Sequence, residues 1–230
     1  MALAKKAIVV HSGGMDSSLC LALAVREFGA GQVLSLGFDY GQRHRRELQV
    51  AESIARHFGV DRAVLELQCL SAITENALTR SIPIESGAAA PNTLVAGRNG
   101  LFARLAGIHA YQLQAKSVYL GVMELESANS GYRDCSRAYM DLVEAALRLD
   151  FAWPDFELRT PLVAMTKSQS MELGHSLGVL EYLLETTITC YEGEPHFGCG
   201  KCPACVLRND GLRDFLRARP KVSFSWRAQL

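Results

Sequence analysis

The chain has 230 residues, 49% of them hydrophobic, and its 24 lysines and arginines are balanced by 24 aspartates and glutamates. That length suffices for one substantial domain with a well-buried core, and the neutral balance argues against nucleic acid as a main partner. No apolar run approaches the roughly 18 residues of a membrane span, and Met1 to Lys6 leads into the first strand without a signal-peptide core, so the expectation is a soluble, cytoplasmic protein.

The first element is an apolar strand, Ala7 to Val10, followed by Ser12-Gly13-Gly14-Met15-Asp16-Ser17-Ser18 and a helical stretch from Asp16 to Phe28. Strand, tight polar turn and helix start are the parts of an anion cradle. Two glycines admit backbone angles closed to other residues, and the loop N–H groups, the hydroxyls of Ser12, Ser17 and Ser18, and the positive end of the helix then converge. The residues alone also fit a plain turn in which Asp16 or Ser12 caps the helix. No Gly-x-x-x-x-Gly-Lys-Ser/Thr run exists, and no Gly-x-Gly-x-x-Gly follows a strand.

A second strand, Val33 to Phe38, leads through Asp39-Tyr40-Gly41-Gln42-Arg43 into a helix over His44 to Phe58. Asp39 and Tyr40 are placed to border a bound nucleotide, although Asp39 and Gly41 also suit an ordinary turn. Ala63 to Leu67 is a third strand. Gln68 to Val95 shows no sustained period and reads as a long surface excursion, a lid or an oligomer contact. Arg98 and Asn99 open a helix to Gln114, and Ser117 to Val122 is a fourth strand. Near-continuous apolar strands alternating with helices predict an α/β fold, a doubly wound parallel sheet with ligands at the carboxyl ends of its strands.

Glu124, Glu126, Tyr132, Asp134 and Cys135 follow the fourth strand, where carboxylates can read the donor edge of a purine-like ring or merely form an acidic surface loop. Thr160-Pro161-Leu162 precedes Lys167, which opens a helix to Leu177; Lys167 and Arg98 are either phosphate-neutralising cations or solvated ones. His57, His109, His175 and His196 have no paired spacing and read as structural or surface residues. Cys190-x8-Cys199-x2-Cys202-x2-Cys205, with turns at Gly198 and Gly200 and with Lys201 and Arg208 nearby, predicts a four-thiolate site. An iron–sulfur cluster is the rival, but the cysteine followed by proline is missing after Cys205, which favours structural zinc. A final helix spans about Pro203 to Arg217. This divides the chain into a main domain over 1–186 and a zinc-binding segment over 187–230 on the same domain.

The Ser12 to Ser18 run resembles the signature of the PP-loop ATP pyrophosphatases, which grip the β and γ phosphates of ATP, cut between α and β, and transfer AMP. Taken with Phe38 to His44, Arg98-Asn99, Gly131-Tyr132 with Asp134-Cys135, Thr160 to Leu162 with Lys167, and Cys190-Tyr191 with the later cysteines, nearly the whole chain resembles the 7-cyano-7-deazaguanine synthase family. The resemblance implies an adenine nucleotide alpha hydrolase-like fold and a homodimeric ligase using ATP, magnesium and zinc. It implies adenylation of 7-carboxy-7-deazaguanine, capture by ammonia as the amide, and a second activation to the nitrile. Asp16, Lys167 and Arg98 are the implied catalytic residues. Ser12 to Ser18 with Asp39 and Tyr40 would hold ATP; Arg98, Asn99, Glu126, Tyr132 and Asp134 would hold the deazapurine. Ammonia would come from solution or another protein, since no glutaminase half is visible.

The chain departs from the family pattern in one loop. Where the family has Asp-x-Ser-Gly-Tyr-Pro-Asp-Cys-Arg, this chain runs from Glu126 to Ser136 and is about two residues longer, with Arg133 for proline and Ser136 for arginine. Ala96 also replaces a proline before Arg98. A relative that stops at an amide and joins the deazapurine to a protein or other amine is therefore the first alternative. A tRNA-modifying PP-loop enzyme, lacking here the usual RNA-binding domain, is the second, and a nucleotide-binding module without turnover is the third.

Overall fold

The computed structural model describes residues 4–42, 46–74, 76, 92–127 and 132–224, with the side chains of 71, 126 and 127 excepted. In chain order the elements are β1 (Ala7–Val10), α1 (Met15–Phe28), β2 (Val33–Asp39), α2 (Arg46–His57), β3 (Asp61–Glu66), α3 (Gln68–Ile73), α4 (Arg98–Gln112), β4 (Ser117–Tyr119), α5 (Glu124–Ser127), α6 (Arg137–Phe151), β5 (Glu157–Arg159), α7 (Lys167–Ser176), α8 (Leu180–Thr186) and α9 (Pro203–Ala218).

The five strands pair in the order β3-β2-β1-β4-β5, all parallel. From β1 the chain winds outward through β2 to β3, then returns to the other side of β1 with β4 and β5. The direction of winding reverses between β1 and β4, which is where such sheets open a crevice.

Alternation along the strands assigns the two faces. Ile8, Leu34, Leu36 and Val118 pack with Phe102, Ala103 and Ala106 of α4 and with Met140 and Leu147 of α6. Ala7, Val9, Val33 and Tyr119 pack on the opposite face with Leu19, Leu21 and Ala24 of α1, Ile54 of α2 and Leu183 of α8. A third cluster joins Met15 to Met171, Leu180, Leu212 and Phe215, seating α9 against α7 and the start of α1. Buried on both faces, the central strands read as continuous apolar runs, as parallel sheets require.

Several elements differ from the sequence expectation. Gln68 to Ile73 is helical, so the excursion toward Val95 starts in regular structure; residues 75 and 77–91, where a lid or oligomer contact was expected, lie outside the described residues. The 15-residue α6 does not stand out in the sequence pattern: Leu142 and Leu149 are 73% and 84% exposed, and these outward leucines blur the apolar stripe of a helix whose buried residues are Met140 and Leu147. Strand β5 has three residues, too few to show a period, and β4 ends at Tyr119 rather than Val122.

Candidate active site

A cavity of about 710 Å³ opens at the carboxyl ends of β1, β2 and β4, a volume suited to a cofactor or small substrate. The loop after β1 forms its floor. Gly13 stands at φ 92°, and a Cβ there would overlap the Glu47 carbonyl oxygen, so this position requires glycine. Gly14 caps α1 with no side-chain cap bond. Neither Asp16 nor Ser12 takes that role, so the plain capping turn is not what forms.

The first N–H groups of α1 have no intrahelical acceptor, and Ser12 and Ser17 flank them. Their hydroxyls lie 3.1 Å apart, and Ser12 N donates to Ser17 Oγ at 3.2 Å. Ser12, Gly14, Met15, Asp16 and Ser17 line the cavity, whereas the fully buried Ser18 turns to His11 at 3.0 Å. The chain after β4 crosses this helix start so closely that a Cβ on Gly121 would lie 2.7 Å from Ser17 N.

Lys167, 4% exposed, comes from the first position of α7, where Thr166 and Gln169 form a capping box. Its Nζ donates to both Asp16 carboxylate oxygens at 2.7 Å and contacts Met123 Sδ at 3.2 Å. Two implied catalytic residues separated by 151 positions thus meet in one bidentate pair beside the helix N-terminus.

Arg98 opens α4 on the far wall. It donates to Tyr40 Oη at 3.3 Å, with its guanidinium carbon 5.6 Å from the Tyr40 ring centroid. Burial disfavours its charge, but neighbouring groups, the Asp134 carboxylate among them, more than offset this and raise its pKa. Burial raises Tyr40 and Tyr191 in turn, so both stay neutral phenols. Arg98 Nε and Thr189 Oγ1 are buried without hydrogen-bond partners, the state expected of groups that await a ligand.

The residues expected to hold the deazapurine separate into two groups. Tyr132, paired with Thr93 Oγ1 at 2.5 Å, Asn99 and Arg98 line the cavity. Asp134 is 4% exposed and accepts from Asn99 N at 2.9 Å, so it satisfies the first turn of α4. Glu124 accepts from Arg137 N at 3.0 Å at the start of α6. Asp39 binds the Gly41 amide in the turn after β2, beside Tyr40 and Gln42 of the cavity wall. The Glu126 side chain and residues 128–131 lie outside the described residues.

Sequence reasoning gave no role to Glu47, His11, Thr189 or Tyr191. Glu47, in the first turn of α2, lines the cavity; burial pushes its carboxyl up to about 7, with Arg98 opposing. His11 directly precedes the glycine loop, a position that could have drawn notice. Thr189 and Tyr191 flank the first clustered cysteine, so their nearness to the phosphate loop is purely tertiary: Ile188 N donates to Gly13 O at 3.2 Å.

The four cysteine sulfurs lie within 4.8 Å of one another and can hold a metal ion. Gly198, at φ 65°, stands where a Cβ would overlap Cys205 Sγ. Backbone N–H groups of Glu192, Cys199 and Cys202 point at Cys190 and Cys199 sulfurs at 3.3 to 3.5 Å. Burial lowers the pKa of Arg208 while the four sulfurs hold its charge. Pro203, Ala204 and Leu207 at the start of α9 carry this cluster into the cavity wall.

A model of the family described as "Queuosine biosynthesis protein QueC" matches residues 6–216. The chain belongs to that family. It is 43% identical over 216 residues to a 7-cyano-7-deazaguanine synthase of Staphylococcus haemolyticus (strain JCSC1435), covering 93% of this chain and 95% of the relative. It is 42% identical over 218 residues to the synthase of that name from Lysinibacillus sphaericus (strain C3-41), covering 94% and 97%. Among solved structures, an NMN synthetase from Francisella tularensis aligns over 96% of this chain and 89% of its own, at 18% identity and a TM-score of 0.49. Among the described residues, no helix is long and apolar enough to cross a membrane.

Proposed function

We propose that the chain is an ATP-dependent 7-cyano-7-deazaguanine synthase. The observation that carries this is the joining of a glycine phosphate loop, the Asp16–Lys167 pair and an aromatic pocket in one cavity of a chain whose relatives bear that name. ATP would lay its polyphosphate on the start of α1, where helix dipole and serine hydroxyls favour anions. Asp16 would help hold magnesium, which supplies charge neutralisation at the leaving pyrophosphate, and Lys167 would stay against the phosphate oxygens. The substrate carboxylate attacks the α-phosphorus, pyrophosphate leaves, and ammonia displaces AMP to give the amide. The amide oxygen would then attack the α-phosphorus of a second ATP with release of pyrophosphate, and loss of AMP and two protons from nitrogen would leave the nitrile.

The deazapurine ring has a flat apolar seat near Phe38 and Phe102, which stack at 4.4 Å, with Tyr40, Tyr132 and Arg98 at its rim. Zinc is the metal that the four-thiolate set suits best: with sulfur about 2.3 Å from the ion, a tetrahedron has edges of about 3.8 Å, and Cys199 and Cys205 sulfurs stand 3.9 Å apart. Its role would be structural, anchoring the segment over 187–230 to the main domain. Incubation with 7-carboxy-7-deazaguanine, ATP, magnesium and ammonia should yield the nitrile, AMP and pyrophosphate by mass analysis. An amide with no nitrile, or no AMP at all, would refute the proposal.

A further inference from the structure

Behind the phosphate loop lies a buried hydrogen-bond chain built by the sheet register. Ser35 of β2 stands opposite Val9 on one side and Arg62 of β3 on the other. His11, two residues after Val9, points to the same face as Ser35 and meets Ser18 of α1 there. Gly37 leaves room for the guanidinium, since a Cβ there would lie 2.5 Å from Arg62 Nη2. The distances are 2.8 Å from Arg62 Nη1 to Ser35 Oγ, 2.9 Å from Ser35 Oγ to His11 Nδ1, 3.0 Å from His11 Nε2 to Ser18 Oγ, and 2.8 Å from Ser18 Oγ to Gly14 O. His11, Ser18 and Ser35 are each fully buried.

One direction along this chain gives both serine hydroxyls and the imidazole N–H an acceptor. Its ends are a guanidinium, which only donates, and a carbonyl, which only accepts. In that direction Ser18 donates to Gly14 O, which Ser17 Oγ also reaches at 3.1 Å, and His11 Nε2 donates to Ser18. In a neutral ring Nδ1 is then the acceptor, and Ser35 donates to it while accepting from Arg62. A protonated ring would present a second donor to Ser35, with the Arg62 charge close by.

We infer that His11 is the positioning residue of the phosphate loop: a neutral Nε2–H imidazole that pins Ser18 to the Gly14 carbonyl, beneath the cavity face lined by Ser12 and Ser17. The inference rests on reading the loop as the ATP phosphate cradle, but its geometry stands in the ligand-free protein. The depressed basicity of His11, brought to about 3 by burial and then by Arg62, agrees with a ring that never charges in the working range. Arg62 is the charged group facing it among the described residues, and Arg62 also donates to the His11 carbonyl at 3.3 Å.

Two measurements test it on the full chain. In ring-labelled protein, long-range proton–nitrogen correlations assigned with the His11→Gln variant should show the Nε2–H neutral form from about pH 5.5 to about pH 8. An Nδ1–H tautomer, or titration across that range, overturns the inference. In steady-state kinetics, glutamine at position 11 can place an amide donor near the Nε2 site, whereas asparagine reaches only the Nδ1 site. His11→Gln should therefore keep the KM for ATP within about twofold, while His11→Asn should raise it about tenfold with a smaller change in kcat. Equal losses in the two variants, or rescue by asparagine alone, overturn it. If the parent protein forms no AMP, the functional proposal fails, while the spectrum still decides the state of His11.

Discussion

Replacing Glu47 by glutamine should reveal two opposed buried ionisations at the cavity. Glu47 would ionise near 4.5 in the unfolded chain but holds its proton to about 7 when folded, chiefly through burial. Between those values the native state binds more protons than the unfolded one, so this group's contribution is present below about pH 4.5 and is lost as pH rises through about 7. The full difference corresponds to about 3 kcal/mol in a dry site, and to about 2 kcal/mol with cavity water against the carboxylate. His11 runs the other way. Its ordinary value of 6.5 falls to about 3 on folding, so its contribution is present above about 6.5 and is lost as pH falls, by about 2 kcal/mol at about pH 5. The parent protein should therefore show a shallow profile between about pH 5 and about pH 8. Urea unfolding across that window should show the stability difference between Glu47→Gln and parent growing by about 2 to 3 kcal/mol toward high pH, while Glu47→Gln alone weakens at the acid end. A difference between variant and parent that does not change with pH would refute the reasoning, because it would mean that the Glu47 carboxyl titrates alike folded and unfolded.

Lys167→Met should cost about 2 to 4 kcal/mol in chemical denaturation, since it strands the Asp16 carboxylate that Lys167 now holds at 2.7 Å, and it should abolish AMP formation. Gly13→Ala should cost about 2 kcal/mol or more, whereas Gly29→Ala, at a similar positive φ but with open space around it, should cost about 1 kcal/mol; calorimetry of the two variants checks the contrast. Cys205→Ser should lower metal content measured by emission spectroscopy, and it should also weaken ATP binding by titration, because Tyr191, Pro203 and Ala204 bring the cysteine segment into the cavity wall. Unchanged nucleotide affinity in a metal-depleted, folded sample would separate the two sites.

The local sequence determined the parts whose physics is local. A four-residue apolar run followed by two glycines and serines must turn tightly and start a helix, and cysteines spaced two residues apart can converge on one ion without help from the rest of the chain. The alternating apolar runs likewise announced the parallel sheet, because strands covered on both faces have no polar side to show. Tertiary structure decided everything that depends on distant segments meeting. Strand register places Arg62, Ser35 and His11 in line; the cluster that joins Met15 of α1 to Met171 of α7 brings Lys167 to Asp16; and Asp134 gives one oxygen to the Asn99 N–H at the start of α4 while its other oxygen stays buried without a partner. Burial, which no single segment controls, sets Glu47 and His11 apart from their ordinary acidities. Sequence pattern records which groups a segment carries, but partner and dielectric arise only when the layers close.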